Sequence, residues 1–176
     1  MLEKNNRSIK KLKGKIQTVL GPIEPNSLGI TLPHEHLIVD GSCWFEEAKE
    51  GTQKAMLHHP VTMDILWWIR YHPLENLDDC LLLDEDEAIR EVMHYRLAGG
   101  NSLVDLTNEG LGRDPIALTH IARATGLNIV MGAGHYVSLS ENKESMAKSE
   151  DEIVEDIVRD ITVGVGNTRV CSGIIG

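Results

Sequence analysis

From Asp84 onward the sequence alternates helix and strand punctuation so regularly that few folds can accommodate it. Asp84-Glu85-Asp86-Glu87 sets an N-capping acid three residues before a glutamate, the pattern of a capping box. Ala88, Ile89, Val92, Met93 and Leu97 follow at helical spacing, and Gly99-Gly100 ends the helix. Residues 102–107 then read as a compact strand. Asp114-Pro115 is a second helix start, with proline at the first helical position. Ile116, Ala117, Ile121, Ala122 and Ala124 supply that helix's apolar face, and Gly126 closes it. Residues 127–131 form the next strand, opening into the loop 132–136. Ser149-Glu150-Asp151-Glu152 repeats the capping box, with Ile153, Val154, Ile157, Val158 and Ile161 as a helical stripe broken by Gly164 and Gly166. Residues 170–176 read as one more buried strand.

The first half is less regular. Residues 15–20 alternate polar and apolar as a short strand does, and Gly21-Pro22 and Pro25-Asn26-Ser27 mark turns. Residues 30–32 form a strand that runs into Leu37-Ile38-Val39-Asp40. Residues 62–71 suggest one short helix ended by His72-Pro73, with Trp67 and Trp68 covering the core rather than lining a ligand pocket. Strand and helix in alternation imply βαβ units and a parallel sheet. Four such strands make either a small doubly wound sheet or half of a (β/α)8 TIM barrel. A barrel gathers its chemistry at the C-terminal ends of its strands, an open sheet at one switch point.

The chemistry-bearing motif is Pro33-His34-Glu35-His36, carried in by Gly29-Ile30-Thr31-Leu32. Side chains alternate along a strand, so His34 and His36 point one way and Glu35 the other. Two imidazoles on one face can grip a single metal ion. In a chain with eight histidines such a pair needs supporting context. His58-His59 are adjacent, would face opposite ways on a strand and receive no metal role. His135 and Tyr136 fall at another strand end and are candidate pocket residues. Asp105 and Arg113-Asp114 read as strand-end, cap and ion-pair residues.

A length of 176 residues suits one domain with a sizeable core, and a quarter of the residues are charged. The net charge of −10 excludes an extended nucleic-acid surface, although Lys4, Arg7, Lys10, Lys11, Lys13 and Lys15 make the start basic. Residues 1–14 read as a disordered basic tail and 15–176 as the folded domain. Cys43, Cys80 and Cys171 are odd in number and lack metal-site spacing, which fits a reducing compartment. With no apolar segment after the basic start and no membrane-length run, the expected location is the cytoplasm, away from membranes.

In these motifs the sequence resembles the phosphotriesterase family of metal-dependent hydrolases, within the amidohydrolase-like barrels. The resemblance covers residues 15–176. It rests on residues 29–36, Val104-Asp105-Leu106-Thr107, Gly112-Arg113-Asp114-Pro115, Gly126-Leu127-Asn128-Ile129-Val130 and Ser172-Gly173-Ile174-Ile175-Gly176. Pro33 departs from the threonine common before His-Glu-His. The resemblance implies a (β/α)8 barrel holding two divalent metals, commonly Zn2+, with His34 and His36 binding one of them. It implies a bridging carboxylate from the fourth strand, further histidines on strands five and six and an aspartate on strand eight. Tyr136 matches a pocket-lining aromatic, with His135 as its neighbour, and Glu35 is assigned a structural role. The implied activity is hydrolysis of an ester bond (lactone, carboxylic ester or phosphotriester) by a metal-activated hydroxide, with amide hydrolysis as the alternative.

Four strands of eight are read in this chain, which makes it the N-terminal half of such a barrel. Of the implied ligands only His34 and His36 are present, short of the three protein ligands usual for catalytic zinc. The expectation is therefore an inactive half-site in the 176-residue chain and a hydrolase, homodimer permitted, when intact. The alternative is a non-catalytic interaction module or pseudoenzyme docking through its open sheet edge.

Overall fold

The computed structural model describes residues 12–48, 51 and 53–176, so most of the expected basic tail lies outside the described residues. The chain opens with a hairpin of β1 (Ile16–Thr18) and β2 (Gly21–Ile23), then β3 (Thr31–Glu35) and β4 (Val39–Asp40). A long connection carries α1 (Leu66–Ile69) and returns as β5 (Leu81–Leu82). After it come α2 (Glu85–Leu97), β6 (Ser102–Asp105), α3 (Pro115–Thr125) and β7 (Asn128–Ala133). The last elements are α4 (Lys143–Met146), α5 (Glu150–Thr162) and β8 (Ile174–Ile175).

β3, β6, β7 and β8 form one parallel sheet in that order. Sequential strands are sheet neighbours throughout, without the reversal that defines a doubly wound switch point, so the sheet has the order of a barrel wall. The expected caps are in place. Asp84 accepts from the Glu87 amide, Asp114 from the Ile116 and Ala117 amides, and Ser149 and Glu152 complete a reciprocal capping box. Gly126 ends α3 at φ 70°, a left-handed conformation that glycine adopts without a Cβ penalty.

The core lies between the sheet and the outer helices. Leu103, Ile129 and Met131 meet Leu118, Ile121 and Ala122 of α3 and Val92 of α2, all fully or nearly fully buried. The β1–β2 hairpin stands apart from the parallel sheet but abuts β7. Val19 joins the core and its amide donates to the Ile129 carbonyl at 2.9 Å. Gly173 is required there, because a Cβ would collide with the Gln17 carbonyl.

Three expectations change. The helix predicted over 62–71 shrinks to Leu66–Ile69; Trp68 is buried and stacks on His72, whereas Trp67 is 63% exposed and covers no core. Leu97, counted in the apolar stripe of α2, is 79% exposed at the helix end. On α5, Val154 and Val158 remain exposed while Ile153, Ile157 and Ile161 are half-buried, so the stripe is only partly covered.

Candidate metal-binding site at the strand ends

His34 lies near the end of β3 and His36 just beyond it. The pairing of β3 with β6 slips by one residue between Leu32 and Glu35. Pro33 has no amide hydrogen for the ladder, so a bulge forms where the proline sits. The bulge bends the strand end and leaves both histidines on the same cavity, with ring centroids 5.4 Å apart in an edge-on arrangement. The geometry thus brings together the two residues picked out from their spacing.

β6 supports this turn from beneath. Asp105 is fully buried; its carboxylate accepts from the Leu37 amide at 2.7 Å and from the Thr107 amide at 3.0 Å. Burial pushes the Asp105 carboxyl up from 3.8, opposed by these hydrogen bonds and by the nearby His36. The Thr107 hydroxyl lies 2.9 Å from Nδ1 of His36. Asp105 therefore does more than close a strand. It ties the residue after the histidine pair to the next strand of the wall.

The cavity has a volume of about 530 Å³. His34, His36, Leu106, Asn108 and Gly176 border it from the sheet, and Trp44, Leu74, Asp79, Cys80 and Leu82 from the long connection. Sequence reasoning found none of the latter group, because their placement depends on β4 pairing with β5 antiparallel through Val39–Leu82 and Asp40–Leu81. Asn76, wholly buried, shapes the connection by donating to the Met56 and His59 carbonyls and accepting from the Asp79 amide. The apolar run at residues 81–83 was the available signal for that strand. Burial, together with Asp79, raises the Cys80 thiol above 9.0, so this cysteine is not an activated nucleophile.

Tyr136 lines the cavity and meets Trp44 edge-on at 5.8 Å. His135 is not among the lining residues; its Nδ1 pairs with Glu141 Oε2 at 3.0 Å. Glu141 also accepts from the Tyr136 amide at 3.3 Å. The two neighbours thus divide into a cavity wall and a loop brace. Burial acts to raise the Glu141 carboxyl, but hydrogen bonds from His135, Ser145 and the Tyr136 amide outweigh it and hold the group below 4.5. A depressed carboxylate stabilises the fold above its unfolded pKa, and that contribution is lost as pH falls through the folded value. Glu141→Gln is therefore expected to cost about 1–3 kcal/mol at pH 7. The same variant should lose less stability than the wild type on acidification below pH 4.5, read by urea denaturation at both pH values.

The donor set suits a divalent cation in part. Neutral imidazoles are good ligands for zinc, and Asn108 adds a buried Oδ1 with no hydrogen-bond partner at the same cavity. Among the described residues no group of three or more His, Cys, Asp or Glu side chains converges, so the two imidazoles make an incomplete ligand set. Arg113 and Asp160 form a buried ion pair at 2.7 Å, and Arg113 also donates to the Gly132 carbonyl at 3.0 Å. That pair fastens the loop after β6 to α5 and β7, as the ion-pair reading anticipated. Among the described residues no helix is long and apolar enough to cross a membrane.

The phosphotriesterase family model matches residues 14–176. The N-acetyltaurine hydrolase of Xenopus tropicalis is 39% identical over 94% of this chain and 47% of its own length. A solved resiniferatoxin-binding protein from Rhodobacter sphaeroides superposes with a TM-score of 0.90 at 39% identity, over 93% of this chain and 46% of that one. The organophosphorus hydrolase of Deinococcus radiodurans gives a TM-score of 0.61 at 25% identity, over 92% of this chain and 43% of that one. The chain spans about half the length of the curated relatives it matches, and its parallel sheet is a partial (β/α)8 barrel. With four strands in barrel order, two histidines at the first strand's end and this match, the chain belongs to the phosphotriesterase family.

Proposed function

We propose that the intact protein is a metal-dependent hydrolase that cleaves the amide bond of a small N-acyl compound, with Zn2+ as the metal. The observation that carries this reading is the convergence of His34 and His36 on a 530 Å³ cavity at the strand ends. A bound divalent cation there supplies Lewis acidity, lowering the pKa of water and polarising a carbonyl oxygen. The chain's own residues do the rest. His34 and His36 would hold the cation, and Asn108, whose buried side-chain oxygen has no partner, would offer a polar anchor in the same cavity. Trp44, Leu74, Leu106 and Tyr136 exclude water and pack against an acyl group. No lysine or arginine lines the cavity among the described residues. This half of the site is therefore assigned to the acyl portion of the substrate, and any anionic end is met by groups outside it.

The amide preference rests on the relatives at 36–39% identity, which are N-acetyltaurine hydrolases. It reverses the order suggested by sequence resemblance, where esters came first. The carboxylate and remaining ligands required for turnover are assigned to chain beyond the two histidines, so the 176-residue chain alone is expected to be inactive. The test is a panel of N-acyl amides, lactones, carboxylic esters and phosphotriesters, assayed with the Zn2+-supplemented intact protein. The highest kcat/KM is expected for an amide; a preference for lactones or phosphotriesters overturns the substrate class.

The second reading is an interaction module that docks through an open sheet edge. Size-exclusion chromatography with metal analysis separates the two. A stable, metal-free complex with another protein supports docking, and a metal-loaded species supports the hydrolase.

A further inference from the structure

We propose that Asp79 is a specificity-determining residue that sets the charge of the acyl group the cavity accepts. Acyl groups with neutral or cationic ends are admitted, and those ending in a carboxylate are turned away. The proposal rests on the assignment of this cavity to the acyl portion of the substrate, and deepens it. Asp78 and Asp79 are adjacent in a short turn at the end of the long connection, yet they meet different surroundings. Asp78 accepts from the Val61 amide at 2.8 Å, whereas Asp79 borders the 530 Å³ cavity. Among the described residues the Asp79 carboxylate makes no hydrogen bond or ion pair. It is the only carboxylate lining the cavity, and no lysine or arginine is there to offset it. Burial first, and Asp78 second, push the Asp79 carboxyl up from 3.8, as expected where the protein supplies no cation.

The position of Asp79 is fixed from both sides. Its amide donates to Oδ1 of Asn76 at 2.8 Å, and Asn76 is wholly buried. The next carbonyl, that of Cys80, accepts from the Gly41 amide at 2.8 Å, which ties the turn to the β4–β5 pair. A Cβ on Gly41 would meet that carbonyl at 2.9 Å and the Trp44 ring at 3.2 Å, so Trp44 packs beside the turn. Trp44 in turn meets Tyr136 edge-on. Asp79 therefore stands next to an aromatic wall that Leu74, Leu82 and Leu106 continue. Apolar walls screen a charge poorly, so its field reaches into the cavity. Between unit charges there, attraction or repulsion is worth about 10-fold in affinity. A cation held by His34 and His36 adds its own field, but that field is common to every Asp79 variant and cancels in the comparison.

The test uses three probes of similar size and different charge. Butylammonium, butyramide and butyrate are titrated at mildly alkaline pH against the metal-free chain, with the Trp44 indole N–H and the Tyr136 amide followed by NMR. Butylammonium is expected to bind about 10-fold more tightly than butyrate, with butyramide between them. Asp79→Asn should bring the three affinities together, whereas Asp79→Glu, which keeps the charge, should preserve their order. The side chain is exposed, so both variants are expected to fold. The intact, Zn2+-supplemented protein gives a second readout: kcat/KM for the γ-aminobutyryl, pentanoyl and glutaryl amides of one amine. The same order is expected in wild type, and its collapse in Asp79→Asn. Equal affinity of wild type for butylammonium and butyrate, or no shift at Trp44 and Tyr136 with any probe, overturns the proposal. So does an order that Asp79→Asn leaves unchanged. An Asp79-dependent binding order in a protein that cleaves none of the amides upholds the proposal and defeats the proposed function instead.

Discussion

Arg113→Met is expected to destabilise the fold by about 3 kcal/mol, because it removes the buried partner of the Asp160 carboxylate and leaves it only the half-exposed Arg159 at 3.3 Å. Both side chains are almost wholly enclosed, at 4% and 7% exposure, so solvent screens the pair little. Arg113 reaches from the loop after β6 to Asp160 on α5 and to the Gly132 carbonyl on β7. The Ser172 amide in turn donates to the Asp160 carbonyl and its hydroxyl to the Gly132 carbonyl, which brings in the approach to β8. Loss of the guanidinium therefore loosens three consecutive segments of the barrel wall together. Urea denaturation followed by far-UV circular dichroism measures the loss. The double variant Arg113→Met/Asp160→Leu should recover most of it, since replacing both members of a buried pair by apolar groups is often neutral or better. A double variant as unstable as the single one would show that the pair's geometry, rather than the unpaired charge, sets the cost.

Removing the imidazoles should have the opposite profile: a large functional effect on an intact fold. His34 is exposed and makes its principal ring contact with His36, so His34→Ala is expected to change stability by less than about 0.5 kcal/mol. The same substitution should reduce Zn2+ affinity by more than the 10–100-fold that loss of a supporting group costs, because a ligand itself is gone. His36→Ala should match it in affinity and cost somewhat more stability, through the lost contact with Thr107. Calorimetric Zn2+ titration beside urea denaturation checks both. Unchanged Zn2+ binding in either variant would remove that histidine from the site.

Helices α2, α3 and α5 were legible because their signals are local, whereas the short α4 was not read. A capping side chain bonds an amide two or three residues away, so Asp84, Asp114 and Ser149 announce their helices in any tertiary setting. The parallel strands were legible from the helices between them. The histidine pair was legible from spacing, although the bulge at Pro33 was not, because a register slip exists only relative to a partner strand. The region between β4 and β5 was poorly legible. Its short helix and turns are held by long-range groups such as Asn76, whose bonds reach back as far as Met56.

By itself, then, the sequence determined the order of the parallel strands and of the three longer helices, the positions of their caps and the spacing that sets His34 and His36 on one side of the strand. Those properties follow from interactions within a few residues along the chain. The tertiary structure alone decided which helix faces were covered, sending Trp68 inward and Trp67 out. It turned Tyr136 to the cavity and His135 to Glu141, and placed Asp105 beneath His36. Each of these depends on residues remote in sequence meeting through the sheet, where packing and burial, rather than local propensity, set the energy.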